Sequence, residues 1–111
     1  MVKPLWNIKS GRFAGWRNGD FLHNSDGDCV GFFHGDIAYT LAGEYVGEIV
    51  DEDWIGKRSG MTRPDQAMRG GTSWLLLEAH PDRAGKQSPG WEDPGYFSSR
   101  ELYQRLFWSG E

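Results

Sequence analysis

Glycine returns at every eighth residue through the first half of the chain, at Gly11, Gly19, Gly27, Gly35 and Gly43. Each follows a residue that suits or tolerates a turn: Ser10, Asn18, Asp26, His34 and Ala42. Asn-Gly and Asp-Gly are strong hairpin signals, because the tightest hairpin turns need positive φ at their central residues and these pairs tolerate it. Read as two-residue turns, the series leaves six residues between turns, the usual length of a short strand.

A slower beat lies over the first. Gly15, Gly31 and Gly47 recur every sixteen residues, in the middle of alternate strands. The repeat unit is therefore a hairpin, and a glycine inside a strand implies a bend or the close approach of another group. The counting predicts strands over 4–9, 12–17, 20–25, 28–33, 36–41, 44–49 and 52–57. That leaves an odd half-unit, and residues 72–79, with Trp74-Leu75-Leu76-Leu77 at their centre, are the later stretch richest in strand-forming apolar residues. The expected fold is all-β: an eight-stranded antiparallel up-and-down meander, closed as a shallow four-hairpin barrel with strand 72–79 pairing with strand 4–9. Closure would remove both sheet edges.

The 111 residues fit one domain, 1–111. Within it, 4–58 are hairpin repeats, 60–71 a loop insertion and 80–97 an irregular connection marked by Pro81, Pro89 and Pro94. Over 98–108, Ser98 with Glu101 forms a capping box ahead of an apolar stripe of Leu102, Tyr103, Leu106 and Phe107, predicting one short C-terminal helix. The net charge of −4 supplies no basic field for a phosphate backbone, so nucleic acid is not an expected partner. No apolar run approaches the length of a transmembrane segment, and the expected location is cytoplasmic. The single cysteine, Cys29, cannot form an internal disulfide and reads as a small buried hydrophobe. His23, His34 and His80 show no metal-ligand spacing, and no cofactor motif is visible.

The segments Ala14-Gly15-Trp16, Gly19-Asp20-Phe21-Leu22, Val30-Gly31-Phe32, Gly35-Asp36-Ile37-Ala38-Tyr39 and Gly43-Glu44-Tyr45-Val46-Gly47 resemble the β-flower proteins. The resemblance covers roughly residues 4–58. It implies a four-fold pseudosymmetric shallow barrel of short hairpins whose function is largely unassigned, with a shape loosely akin to tubby-like and scramblase-like barrels. The third unit departs from the pattern at Asp51-Glu52 and at Glu48.

If every turn has two residues, side-chain facing can be counted from the turns. One face then carries Leu5, Asn7, Ala14, Trp16, Phe21, His23, Val30, Phe32, Ile37, Tyr39, Val46, Glu48, Asp53 and Ile55. On it Trp16 would oppose Phe21, and Glu48 would oppose Asp53. Two facing carboxylates would hold a cationic group or share a proton, unless the altered turn shifts the register and leaves both in water. Asn7, His23 and Tyr39 occupy one position in successive units, as a ring that either reads a polar head group or satisfies itself within the barrel. Arg58, Arg63, Arg69 and Lys57 gather about the insertion, as a local anion site or as a solvated loop.

These residues point first to a non-enzymatic module that holds a small or amphipathic ligand in or at one end of the barrel. Asn7, His23, Tyr39, Glu48 and Asp53 would be its polar contacts, and Trp16, Phe21 and Phe32 its walls. The alternative is a protein-interaction or inhibitor domain acting through its outer surface, the 60–71 insertion and the Trp91 region. Hydrolysis by Glu48 and Asp53 ranks third.

Overall fold

The computed structural model describes residues 2–94. The predicted helix over 98–108 lies outside them. The chain forms β1 (Val2–Asn7), β2 (Phe13–Asn18), β3 (Phe21–Asn24), β4 (Cys29–His34), β5 (Ile37–Thr40), β6 (Tyr45–Val50), β7 (Trp54–Arg58) and β8 (Trp91–Glu92). β1 to β7 neighbour one another in chain order, each antiparallel to the one before. The ring closes where β1 meets β7.

That closure corrects the expected one. Residues 72–79 form no strand, and Trp74, Leu76 and Leu77 stand 62%, 85% and 48% exposed. Instead β1 and β7 pair directly, Trp6 beside Trp54 and Asn7 beside Ile55. In an up-and-down ring of seven the first and last strands point the same way, so this one seam is parallel. The backbone bonds across it include those from the Trp6 N–H to the Asp53 carbonyl (2.9 Å) and from the Ile8 N–H to the Ile55 carbonyl (3.1 Å). The eighth strand lies outside the ring, pairing Trp91 and Glu92 with Arg58 and Lys57 of β7.

The turns are of two alternating kinds. At one end of the barrel the loops are Gly19-Asp20, Gly35-Asp36 and Asp51-Glu52-Asp53. In the first two, glycine takes the first central place with φ near +60° (59° and 63°), the pattern of a Gly-led tight hairpin. At the other end the loops are wider, spanning 8–12, 25–28 and 41–44. Two-residue turns are therefore found in two loops at one end only, and one residue later than counted, at Gly19-Asp20 and Gly35-Asp36 rather than Asn18-Gly19 and His34-Gly35.

The wide-turn hairpins each carry a bulge. The register shifts between Leu5 and Trp6, between Leu22 and His23, and between Ala38 and Tyr39, so that Ala14, Val30 and Val46 are the extra residues of the opposite strands, beside the mid-strand glycines. An extra residue reverses the count of faces beyond it. The interior consequently mixes both expected faces: Leu5, Ala14, Val30, Val46 and Ile55 from one, Leu22, Phe33 and Ala38 from the other. Every strand of the ring contributes to this cluster, which places it inside the barrel. Fully burying a side chain such as Leu22 or Phe33 contributes about 1.5–3 kcal/mol.

A second cluster, Trp6, Ile8, Phe13, Trp16 and Trp54, draws on β1, β2, β7 and the first residue of the loop after β1, and covers the seam from outside. Over it and round the wide-turn end runs the chain from residue 61 to 88. Its N–H groups donate to the wide turns one after another: Gln66 to Gly43 (2.8 Å), Leu75 to Gly27 (2.8 Å) and Arg83 to Gly11 (2.7 Å). A side chain on Gly27 would strike the Leu75 carbonyl, and its φ of +90° also disfavours any other residue. Gly11 and Gly43 stand in the same relation to Arg83 and Gln66.

A Cβ on Gly35 would meet nothing within 4 Å among the described residues, so Gly35→Ala should cost only the left-handed backbone penalty of about 1 kcal/mol. Gly27→Ala should cost about 2 kcal/mol or more, because it also expels Leu75 and breaks its backbone bond. Chemical denaturation will compare the two. Faster tryptic cleavage at Arg69 and Arg83 in Gly27→Ala alone is the expected companion result.

Candidate functional site

The second and third of the tight turns, with residues of β1, β2 and β6, surround a cavity of about 350 Å³, lined by Lys3, Leu5, Arg17, Asp36, Ile49, Asp51 and Glu52. Leu5 and Ile49 give it an apolar floor continuous with the barrel core. Arg17 braces its rim. The guanidinium lies over the Phe33 ring (4.3 Å), its Nε donates to the Gly19 carbonyl (3.0 Å), and its other nitrogens reach the Gly35 carbonyl (2.8 Å) and Asp36 (3.0 Å). One planar cation thus ties two tight turns together, which a lysine could not do.

The third turn differs. Asp51 and Glu52 both take positive φ, 49° and 68°, and are the non-glycine residues of the described chain that do so. Carboxylates there are held by the encircling segment, Asp51 by Lys86 (2.5 Å) and Asp53 by Arg83 (3.5 Å). The sequence signal was present in the loss of glycine at Asp51, but it read as a broken turn rather than as the wall of a cavity.

A second hollow, of about 450 Å³, opens at the wide-turn end among Asn7, Arg12, Phe13, Ser25, Ala79, His80 and Asp82. Asp82 is occupied in accepting the Phe13 N–H (2.8 Å), and His80 packs against the rings of Trp6 and Phe13. The Asn7 side-chain oxygen is buried with no partner among the described residues.

Of the residues expected to hold a ligand, Asn7 lines the second of these hollows, and none of the others lines either. Trp16, His23, Phe32 and Tyr39 are 2%, 0%, 2% and 4% exposed, on the outside of the barrel beneath its covering. Phe32 stacks on Tyr39 (5.6 Å between ring centres), with Arg69 over its face (4.7 Å). Phe21 pairs with Asn18 and Phe32, and Trp16 faces His23 rather than Phe21. The His23 ring is anchored through Nδ1 to the Gly27 carbonyl (2.8 Å). The arginines of the insertion serve this outer layer, with Arg63 over Tyr45 (5.6 Å).

Glu48 and Asp53 do not oppose each other. Glu48 pairs with Gly56, because the third loop spans 51–53, one residue longer than the two-residue turn counted at 50 and 51 and beginning one residue later. Its carboxylate lies near Arg58 (3.7 Å) and Arg63 (3.9 Å) and accepts the Tyr45 hydroxyl (3.3 Å). Burial pushes the Tyr45 phenol above its ordinary range, and the Glu48 charge pushes it further. Burial likewise raises the Cys29 thiol, which makes it a poor nucleophile. Among the described residues no group of three or more His, Cys, Asp or Glu side chains is arranged to hold a metal ion, and no helix is long and apolar enough to cross a membrane.

No family model, curated protein or solved structure matches this chain. The likeness to the β-flower proteins accordingly rests on the repeat motifs themselves.

A raised phenol favours the folded state while it stays protonated, so its contribution is complete below the unfolded value of about 10 and is lost as pH rises through the folded value. Absorbance titration should show one tyrosine ionising later than free tyrosine, and Glu48→Gln should bring that step to lower pH. An unchanged titration in Tyr45→Phe would assign the late step to another tyrosine.

Proposed function

We propose that this protein is a non-enzymatic binding module that holds a small amphipathic ligand in the mouth formed by its tight turns. The observation that carries the reading is the cavity of about 350 Å³, whose apolar floor of Leu5 and Ile49 lies beneath charged groups of both signs. Ligand sites are concave, mostly preformed and of this order of size, with a few polar groups over an apolar base. The barrel interior is a less suitable place, because the side chains of all seven strands already fill it. The rim is also preorganised, since Arg17 and Lys86 hold its turns before any ligand arrives.

Ile49 is only partly buried, so Ile49→Phe should fill the mouth from below while leaving the fold intact. Thermal-shift screening with small amphipathic compounds should find stabilising ligands for the wild type whose effect disappears in Ile49→Phe. A panel that never shifts the midpoint, or shifts both proteins alike, would count against the mouth.

A protein-interaction role is a second reading, favoured by the exposure of Met68, Trp74, Leu76 and Leu77 on one stretch of the encircling chain. Tryptophan and large apolar side chains presented in this way are frequent anchors for a partner. Under this reading, a partner recovered from the native host should be lost from Trp74→Ser/Leu76→Ser and kept by Ile49→Phe; the opposite pattern would reject it.

A further inference from the structure

The mouth of the barrel carries five charged side chains: Lys3, Arg17, Asp36, Asp51 and Glu52. Three of them are neutralised within the fold. Arg17 and Asp36 pair at 3.0 Å, and Asp51 pairs with Lys86 at 2.5 Å. The two that remain, the Lys3 ammonium and the Glu52 carboxylate, have no ion-pair partner among the described residues. One charge of each sign therefore borders a cavity with an aliphatic floor.

Resting on the reading that this mouth is the binding site, we propose that its ligand class is a small zwitterion with a short aliphatic body, of the kind an aliphatic α-amino acid represents. The ligand carboxylate meets Lys3, its ammonium meets Glu52, and its hydrocarbon part lies on Leu5 and Ile49. A simple carboxylate would satisfy Lys3 but bring its charge toward Glu52. A simple amine would do the reverse. Like-charge contact of this sort is what separates a zwitterion from either half of it.

Glu52 also occupies the place that Asp20 and Asp36 hold in the two preceding turns, sixteen residues apart. Its side chain is one methylene longer, and its backbone is kept in a left-handed conformation at φ 68°. The residue before it is Asp51, where those turns have Gly19 and Gly35. The longer acid has thus been set into a turn that would be more relaxed with glycine.

Isothermal titration of the full-length protein with leucine, 4-methylpentanoate and isopentylamine, each taken into the high millimolar range, tests the assignment. Leucine should bind, and the acid and the amine should each bind about tenfold more weakly or less, a difference of one well-placed charge contact. Lys3→Ala should weaken leucine and relieve the discrimination against the amine, while Glu52→Gln should weaken leucine and relieve that against the acid. Glu52 is exposed and Lys3 half-buried, and circular dichroism should confirm unchanged folding. Equal binding of the acid or the amine would overturn the zwitterion while leaving the mouth standing, provided Ile49→Phe abolishes it. Leucine binding that ignores Lys3→Ala, Glu52→Gln and Ile49→Phe would overturn both the ligand class and the site, and no binding by leucine would overturn the ligand class.

Discussion

Parity decides the shape of this molecule. An up-and-down ring with an odd number of strands must bring two parallel strands together somewhere, and here that place is the contact of β1 with β7. Parallel pairing between such short strands offers few backbone bonds, and only two residue pairs span the seam. The shortfall is made up in side chains. Trp6 and Trp54 lie side by side across the join, Arg83 covers Trp6 at 3.4 Å, and the Trp6 indole donates to the Pro81 carbonyl at 2.9 Å. The barrel closes because the later part of the chain seals it from outside.

That sealing gives the eight-residue beat two causes. At the tight turns glycine answers to backbone geometry alone, with open space around Gly19 and Gly35. At the wide turns it also answers to the neighbouring chain, whose carbonyls lie where a side chain would be. Aromatic residues that alternation sends outward, such as Phe32 and Tyr39, become core in their turn, with Arg69 of the wrapping segment over the Phe32 ring and Phe32 stacked on Tyr39. The protein has in effect two layers of core, one inside the barrel and one between the barrel and its wrapping.

This explains how far the sequence could be read. Strand number and spacing were legible because glycine cannot be disguised: seven strands were predicted from 4 to 57 and seven form from Val2 to Arg58. Facing was not legible, since a bulge adds one residue without a compositional mark of its own, and Ala14, Val30 and Val46 look like ordinary strand residues. Gly15, Gly31 and Gly47 were the available trace, and they do sit beside the bulges. The closing partner was misread for a different reason. Trp74 to Leu77 is as apolar as a strand, but its role is to lay Leu75 on the second core while its neighbours face outward. Of the expected site residues, those on the outer face went to packing, because nothing in a single sequence says that a loop thirty residues away will cover them.

The two ends of the barrel are left with different work. The wide end is occupied in holding the wrapping segment through Gly11, Gly27 and Gly43, and those contacts fix its loops. Among the described residues the tight end has no such backbone covering, and there the repeat loses its regularity: a third turn of Asp51-Glu52-Asp53 stands where the first two have Gly-Asp. Two of its carboxylates, Asp51 on the cavity wall and Asp53, are held by Lys86 and Arg83, which belong to the wrapping. The left-handed backbone between them carries the third, Glu52, to the cavity. Strain at such a place persists only where surrounding contacts over-determine it. Here the same segment that seals the seam supplies them, so closure of the barrel and the shape of its open mouth depend on one set of interactions.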